Sequence, residues 1–123
     1  MKLFSGWITI AVKNVDAAAQ WYAQKFDLKN EGVTQEEGMS RACELMSRDR
    51  DMETKILLCE KENDDAELDR PILNTANAAK ARDWLLARGV EVGPVQTDRQ
   101  GTRYIEMRDC EGNMVEICEE PGS

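Results

Sequence analysis

Histidine is missing from this chain of 123 residues. Without it, no side chain has an ordinary pKa near neutrality. Ser-His-Asp and Cys-His catalysis are excluded, and so are histidine-based metal sites. Any metal would have to rest on carboxylates, carbonyls or thiolates. A basic excess is missing too: 16 Lys and Arg stand against 24 Asp and Glu, for a net charge of -8. That argues against nucleic acid and anionic membrane as partners, since both need a basic face, and it suits a cationic ligand. No apolar run approaches the roughly 18 residues of a membrane span. The opening MKLFSGWITIAV enters a strand-like pattern without the cleavage site of a signal peptide, so a cytoplasmic protein is expected. Cysteine is sparse. Cys43, Cys59, Cys110 and Cys118 form no C-x-x-C, which points to small buried thiols rather than to zinc or a disulfide framework.

What the chain does have is enough apolar residue for a core, 41% of the sequence, and a patterned carboxyl end. Residues 101–120, GTRYIEMRDCEGNMVEICEE, read as two strands around a tight turn. Asp109 offers a carboxylate to nearby backbone N–H groups, and Gly112 and Asn113 tolerate positive φ. Ile105, Met107, Val115 and Ile117 alternate onto one face. Tyr104, Glu106, Glu116 and Cys118 fall on the other. A thiol at Cys118 would therefore share a cleft face with Glu116.

The amino-terminal part repeats a simpler theme. Residues 7–12 (WITIAV) alternate as a strand, and Asn14 caps a helix with Val15, Ala18, Ala19, Tyr22 and Phe26 on its buried stripe. Asp27 can supply its left-handed end. Residues 31–47 read as a hairpin turning near 36–38, and residues 54–59 (TKILLC) as a short strand. The polar run EKENDDAELD, 60–69, is an acidic connector. Residues 70–75 (RPILNT) then form a strand, Thr75 or Asn77 caps a second helix, and Gly89 stops it. Residues 90–95 are extended, interrupted by Gly93 and Pro94, and 96–100 are a polar turn leading into the hairpin.

The two strand-Asn-helix segments recur at an offset of about 62 to 63 residues. Each half thus reads as βαβββ, module 1 over 6–60 and module 2 over 69–120, together one domain over 1–123. The expected class is α+β: two modules forming a curved, cup-like sheet of about eight strands with helices outside. Trp7, Thr9, Arg70, Ile72, Tyr104, Glu106 and Glu116 should line or rim its inside. A homodimer is expected, because an open sheet edge needs cover.

Three segments, ITIAVKNVDAAAQWYAQKFDL, ILNTANAAKARDWLLARGVEV and RDCEGNMVEI, follow in the order and spacing of the vicinal oxygen chelate superfamily. The chain resembles that superfamily, the fold of glyoxalase I, bleomycin-resistance proteins and extradiol dioxygenases, over nearly its whole length. The resemblance implies a divalent-metal site with a first-strand histidine, a mid-chain histidine or glutamine, and a last-strand glutamate. Those positions fall on Trp7, Arg70 and Glu116. An indole offers a metal no lone pair and a guanidinium repels it, so no metal, no cofactor and no catalytic residue is assigned. The expected function is a metal-independent small-molecule binding protein of the bleomycin-resistance type, holding a cationic or aromatic compound. Trp7, Arg70, Tyr104, Glu106 and Glu116 are its candidate ligand-binding residues. The competing expectation is a metal-dependent lyase, isomerase or dioxygenase of the glyoxalase type, drawing on Glu44, Glu106, Glu116 and Cys118.

Overall fold

Two asparagines start the two helices in the same way. In the computed structural model, which describes residues 4–48, 54–61 and 71–119, the Asn14 side chain accepts the Ala17 N–H at 3.0 Å. The Asn77 side chain accepts that of Lys80 at 3.0 Å. Each satisfies a donor that the first helical turn leaves over. The second cap is therefore Asn77. Thr75 instead accepts the Asn77 N–H through its hydroxyl at 3.3 Å. The helices are Val15–Lys25 (α1) and Ala78–Ala87 (α2). Asp27 follows α1 with φ 52, the left-handed exit expected of it.

The class is α+β, with two helices and nine strands in two sheets among the described residues. The first sheet belongs to a compact unit, Trp7–Asp69. Its strands are Gly6–Val12 (β1), Leu28–Thr34 (β2), Ala42–Ser47 (β3) and Thr54–Glu60 (β4), ordered β1-β4-β3-β2. α1 packs on β2, β3 and β4. Beneath it lie Ile10, Val12, Leu45, Ile56 and Leu58, all buried, with Val15, Ala18, Ala19 and Tyr22 from the helix. The alternation Thr54, Ile56, Leu58 inward leaves Lys55, Leu57 and Cys59 on the second face.

The second unit joins Met1–Gly6 to Arg70–Ser123. The opening residues belong here because Ser5 and Asn74 exchange backbone hydrogen bonds at 2.8 Å in both directions. The chain then leaves through Gly6, at φ 116. The strands are Ile72–Thr75 (β5), Glu91–Val92 (β6), Gln96–Thr97 (β7), Arg103–Arg108 (β8) and Met114–Glu119 (β9). The order is β5-β9-β8-β6, with β7 also on β8 and β5 running parallel to β9. α2 covers β6, β8 and β9, over buried Leu73, Ile105, Met107, Val115 and Ile117.

In the stretch 90–100 the interruption at Gly93 and Pro94 falls where expected, whereas the start of the polar turn does not. Pro94 has no N–H to give a ladder, so the extended run breaks into β6 and β7. Arg82 of α2 holds the break, its Nε donating to the Gly93 carbonyl at 2.8 Å. Gln96 and Thr97, expected in a turn, pair with Tyr104 and Arg103. The turn itself is a five-residue loop from Asp98. Its Oδ1 accepts the Gln100 and Thr102 N–H groups at 2.8 and 2.9 Å. The next hairpin repeats it: Asp109 Oδ1 accepts from Glu111 at 2.9 Å and Asn113 at 2.8 Å. Of the two residues that tolerate positive φ, Gly112 takes it, at φ 81, and Asn113 does not.

Candidate ligand-binding site

The half-buried face of β8 and β9 is built by alternation. With Ile105, Met107, Val115 and Ile117 committed to the core under α2, the residues between them must face the other way. The antiparallel register then sets Glu106 opposite Glu116 and Tyr104 opposite Cys118. On the far side of β9, the parallel strand β5 sets Ile72 beside Glu116 and Asn74 beside Cys118. The face therefore carries two carboxylates, a phenol, a thiol and an amide next to Ile72, which is 46% exposed.

Four of these groups are held by hydrogen bonds: Tyr104, Glu106, Glu116 and Cys118. Gln96 donates from Nε2 to Glu106 Oε1 at 3.0 Å and accepts the Tyr104 hydroxyl at 3.3 Å. One amide thus orients both residues, since it is donor at one end and acceptor at the other. The Cys118 thiol donates to Glu116 Oε2 at 3.3 Å. Burial, then the hydrogen bond to Glu116 and that carboxylate's charge, push the thiol pKa up to about 11. Cys118 is a protonated donor at neutral pH, not a nucleophile. Like charges placed opposite each other on a sheet are unfavourable, and such a pair gives up that cost when a cation comes between them.

The sequence-derived candidates divide between the units. Tyr104, Glu106 and Glu116 come together on this face. Trp7 belongs to the other unit, where its ring is 68% exposed and Lys55 Nζ sits 5.5 Å from the ring centroid. Lys55 also pairs with Glu44 at 3.5 Å. Arg70 lies outside the described residues, as does most of the connector 60–69. Gln96 escaped the sequence reading, because a two-residue strand leaves no periodicity to read. So did Lys55 and a cleft of about 420 Å3 along β2, β3 and the loop between them. The alternation in TKILLC does, however, place Lys55 opposite the core.

The metal site that the fold implies does not fit these residues. Its first-strand position is the indole of Trp7, and Glu116 Oε2 already accepts the Cys118 thiol. Among the described residues, no three Cys, Asp or Glu side chains group as a metal site.

Known structures share the fold. A glyoxalase/bleomycin resistance protein/dioxygenase superfamily member from Sphaerobacter thermophilus DSM 20745 is 21% identical, with TM-score 0.71 over 91% of this chain and 93% of that one. A glyoxylase/bleomycin resistance protein/dioxygenase domain from Frankia sp. EAN1pec is 16% identical, with TM-score 0.71 over 94% and 96%. TnmS3, an antibiotic binding protein from Streptomyces sp. CB03234, is 16% identical, with TM-score 0.68 over 95% and 97%. A comparison with curated proteins gives no match. The family model for the Glyoxalase/Bleomycin resistance protein/Dioxygenase superfamily matches residues 5–117. That span takes in both helices and all but the last two residues of β9, and the chain belongs to this superfamily.

Proposed function

We propose that the protein is a metal-independent small-molecule binding protein of the glyoxalase/bleomycin-resistance type, sequestering a cationic or aromatic compound. The observation that carries the reading is the register pairing of Glu106 with Glu116 on a half-buried face. Two carboxylates fixed opposite each other attract a cation more strongly than either alone. Gln96 and Tyr104 hold that arrangement without supplying a competing charge, and exposed Ile72 offers an apolar surface beside it. The net charge of -8 draws cations towards the protein as a whole. TnmS3, which shares the fold, is described as an antibiotic binding protein.

Trp7 and Arg70 are proposed as ligand-binding residues by their own chemistry, an indole being a stacking surface and a guanidinium a clamp for an anionic group. We place the protein in the cytoplasm, consistent with four free cysteines, and as a homodimer. Light scattering after gel filtration should return twice the 13.9 kDa of one chain; a monomer mass would remove the dimer from the reading.

The ligand reading is tested on protein stripped with EDTA. Proflavine, a planar cation, is titrated against the wild type and Glu116→Gln, with neutral acridine as control. Proflavine should bind without added metal and acridine more weakly, and Glu116→Gln should cost about tenfold in affinity. Binding that appears only after Mn, Fe, Co, Ni or Zn is restored would favour the metal-dependent lyase, isomerase or dioxygenase instead.

A further inference from the structure

One polar side chain on the hairpin face has its hydrogen-bonding capacity left over. Gln96 joins Tyr104 to Glu106, and the Cys118 thiol is bonded to Glu116. Asn74, which the parallel register sets beside Cys118, has no side-chain hydrogen bond among the described residues. It is half-buried, and its amide offers two donors and an acceptor. Its backbone is fixed on both edges. It is paired to β9 on one side, and on the other Asn74 and Ser5 exchange hydrogen bonds at 2.8 Å. Gly6 gives the amide room, since a Cβ there would lie 3.6 Å from Asn74 Nδ2. The amide therefore stands on a rigid base, as a recognition group needs.

We infer that Asn74 is a specificity-determining residue of the hairpin site, and that the ligand is an organic ammonium ion with a carboxamide next to the charge, on the pattern of an α-amino amide. The inference rests on the reading of Glu106 and Glu116 as the cation site. Ile72 precedes Asn74 on the same face of β5 and lies beside Glu116. Asn74 is thus diagonal to Glu116, about 8 Å away by the spacing of strands and the rise along them. Two side chains at that separation reach ligand groups two or three bonds apart, at hydrogen-bond distances of about 3 Å. The ammonium lies between the carboxylates, the apolar part on Ile72, and the carboxamide against Asn74. A carboxamide matches the asparagine amide at both ends, donor to acceptor and acceptor to donor. Two carboxylates attract any cation, whereas a fixed amide separates cations by the group that stands beside the charge.

The test compares three compounds on the full-length protein by calorimetry: phenylalaninamide, 2-phenylethylammonium, which is the same cation without the carboxamide, and 3-phenylpropanamide, which is the same carboxamide without the charge. At about pH 6 both amines are protonated. The wild type should bind phenylalaninamide about five- to tenfold more tightly than 2-phenylethylammonium, and 3-phenylpropanamide more weakly than either. In Asn74→Ala that preference should vanish, so that the two cations bind alike. In Glu116→Gln both cations should weaken while the preference for the carboxamide remains, a split that a merely structural role for Asn74 does not produce. Equal affinity of the two cations in the wild type overturns the inference, and so does a preference that survives in Asn74→Ala. Either result leaves the hairpin reading intact when Glu116→Gln still weakens 2-phenylethylammonium. Absence of binding by both amines also overturns the inference; the hairpin reading then stands if proflavine binds and falls with it if proflavine does not.

Discussion

Glu106 and Glu116 are cross-strand partners, one on β8 and one on β9, with their carboxylates on the same half-buried face. The arrangement costs stability in a sheet that faces only itself and is favourable in one that receives a cation. Gln96 fixes one of the two and Cys118 the other. In proflavine titrations, Glu106→Gln and Glu116→Gln should each lower affinity by about tenfold, the loss of one charged contact. Gln96→Leu keeps both charges and loses only the orientation of Glu106 and Tyr104, so its effect should be smaller. Equal affinity in all three variants would remove the pair from the site.

The Cys118 thiol reports on the Glu116 charge. Burial, the hydrogen bond to Glu116 and that carboxylate's charge raise its pKa to about 11, so it stays protonated through the neutral range. Alkylation by iodoacetamide, which needs the thiolate, should be slow at pH 8 and speed up as pH climbs towards 11. Glu116→Gln removes the carboxylate charge that raises the pKa and should bring that rise to lower pH. Mass spectrometry of the Cys118 peptide across pH gives the curve. An unchanged profile in Glu116→Gln would mean that the thiol does not meet that carboxylate.

The two aspartate loops have the same hydrogen bonds in different surroundings. Asp109 is 7% exposed and also accepts from Asn113 Nδ2 at 3.1 Å, whereas Asp98 is exposed. Asp109→Ala removes a buried acceptor from part-buried N–H groups and should cost about 2 kcal/mol, while water replaces the carboxylate in Asp98→Ala for about 1 kcal/mol or less. Urea denaturation measures both. Equal losses would mean that burial does not set the difference.

Gly6 and Gly112 both take positive φ, in conformations of different cost to a side chain. At Gly112, φ is 81 and an added Cβ meets nothing within 4 Å, so Gly112→Ala should cost about 1 kcal/mol from conformation alone. At Gly6, φ is 116 and the Cβ would lie 3.5 Å from Leu73 Cδ2. That conformation is one side chains rarely adopt, so Gly6→Ala should cost more, about 2–3 kcal/mol. The midpoints of thermal unfolding rank the two, and the opposite order would contradict the geometry.

Much of the fold was legible because it rests on local signals. Asn14 and Asn77 announce two helices through their capping chemistry. The apolar positions from Val15 to Phe26 recur at helical spacing, and Ile105 to Ile117 alternate cleanly. Asp109 marks its turn for the same reason. What local signals cannot carry is pairing. Gln96 and Thr97 are a strand only because β8 lies beside them. The bridge from Ser5 to Asn74 joins residues far apart in sequence. The site follows the same division. Alternation alone puts Tyr104, Glu106 and Glu116 on one face. The carboxylate-to-carboxylate register, the bridging amide of Gln96 and the Lys55 contact with Trp7 all depend on which strands become neighbours.

The claim that the Glu106–Glu116 face binds a cation without metal is tested most directly by calorimetry. Proflavine is titrated into EDTA-treated wild-type protein and into Glu116→Gln, each with and without added Mn, Fe, Co, Ni or Zn. Heat of binding should be present in the metal-free wild type, unchanged by any of the metals and reduced about tenfold in affinity in Glu116→Gln. Stoichiometric metal uptake that Glu116→Gln abolishes, with no proflavine binding before the metal is added, would contradict it.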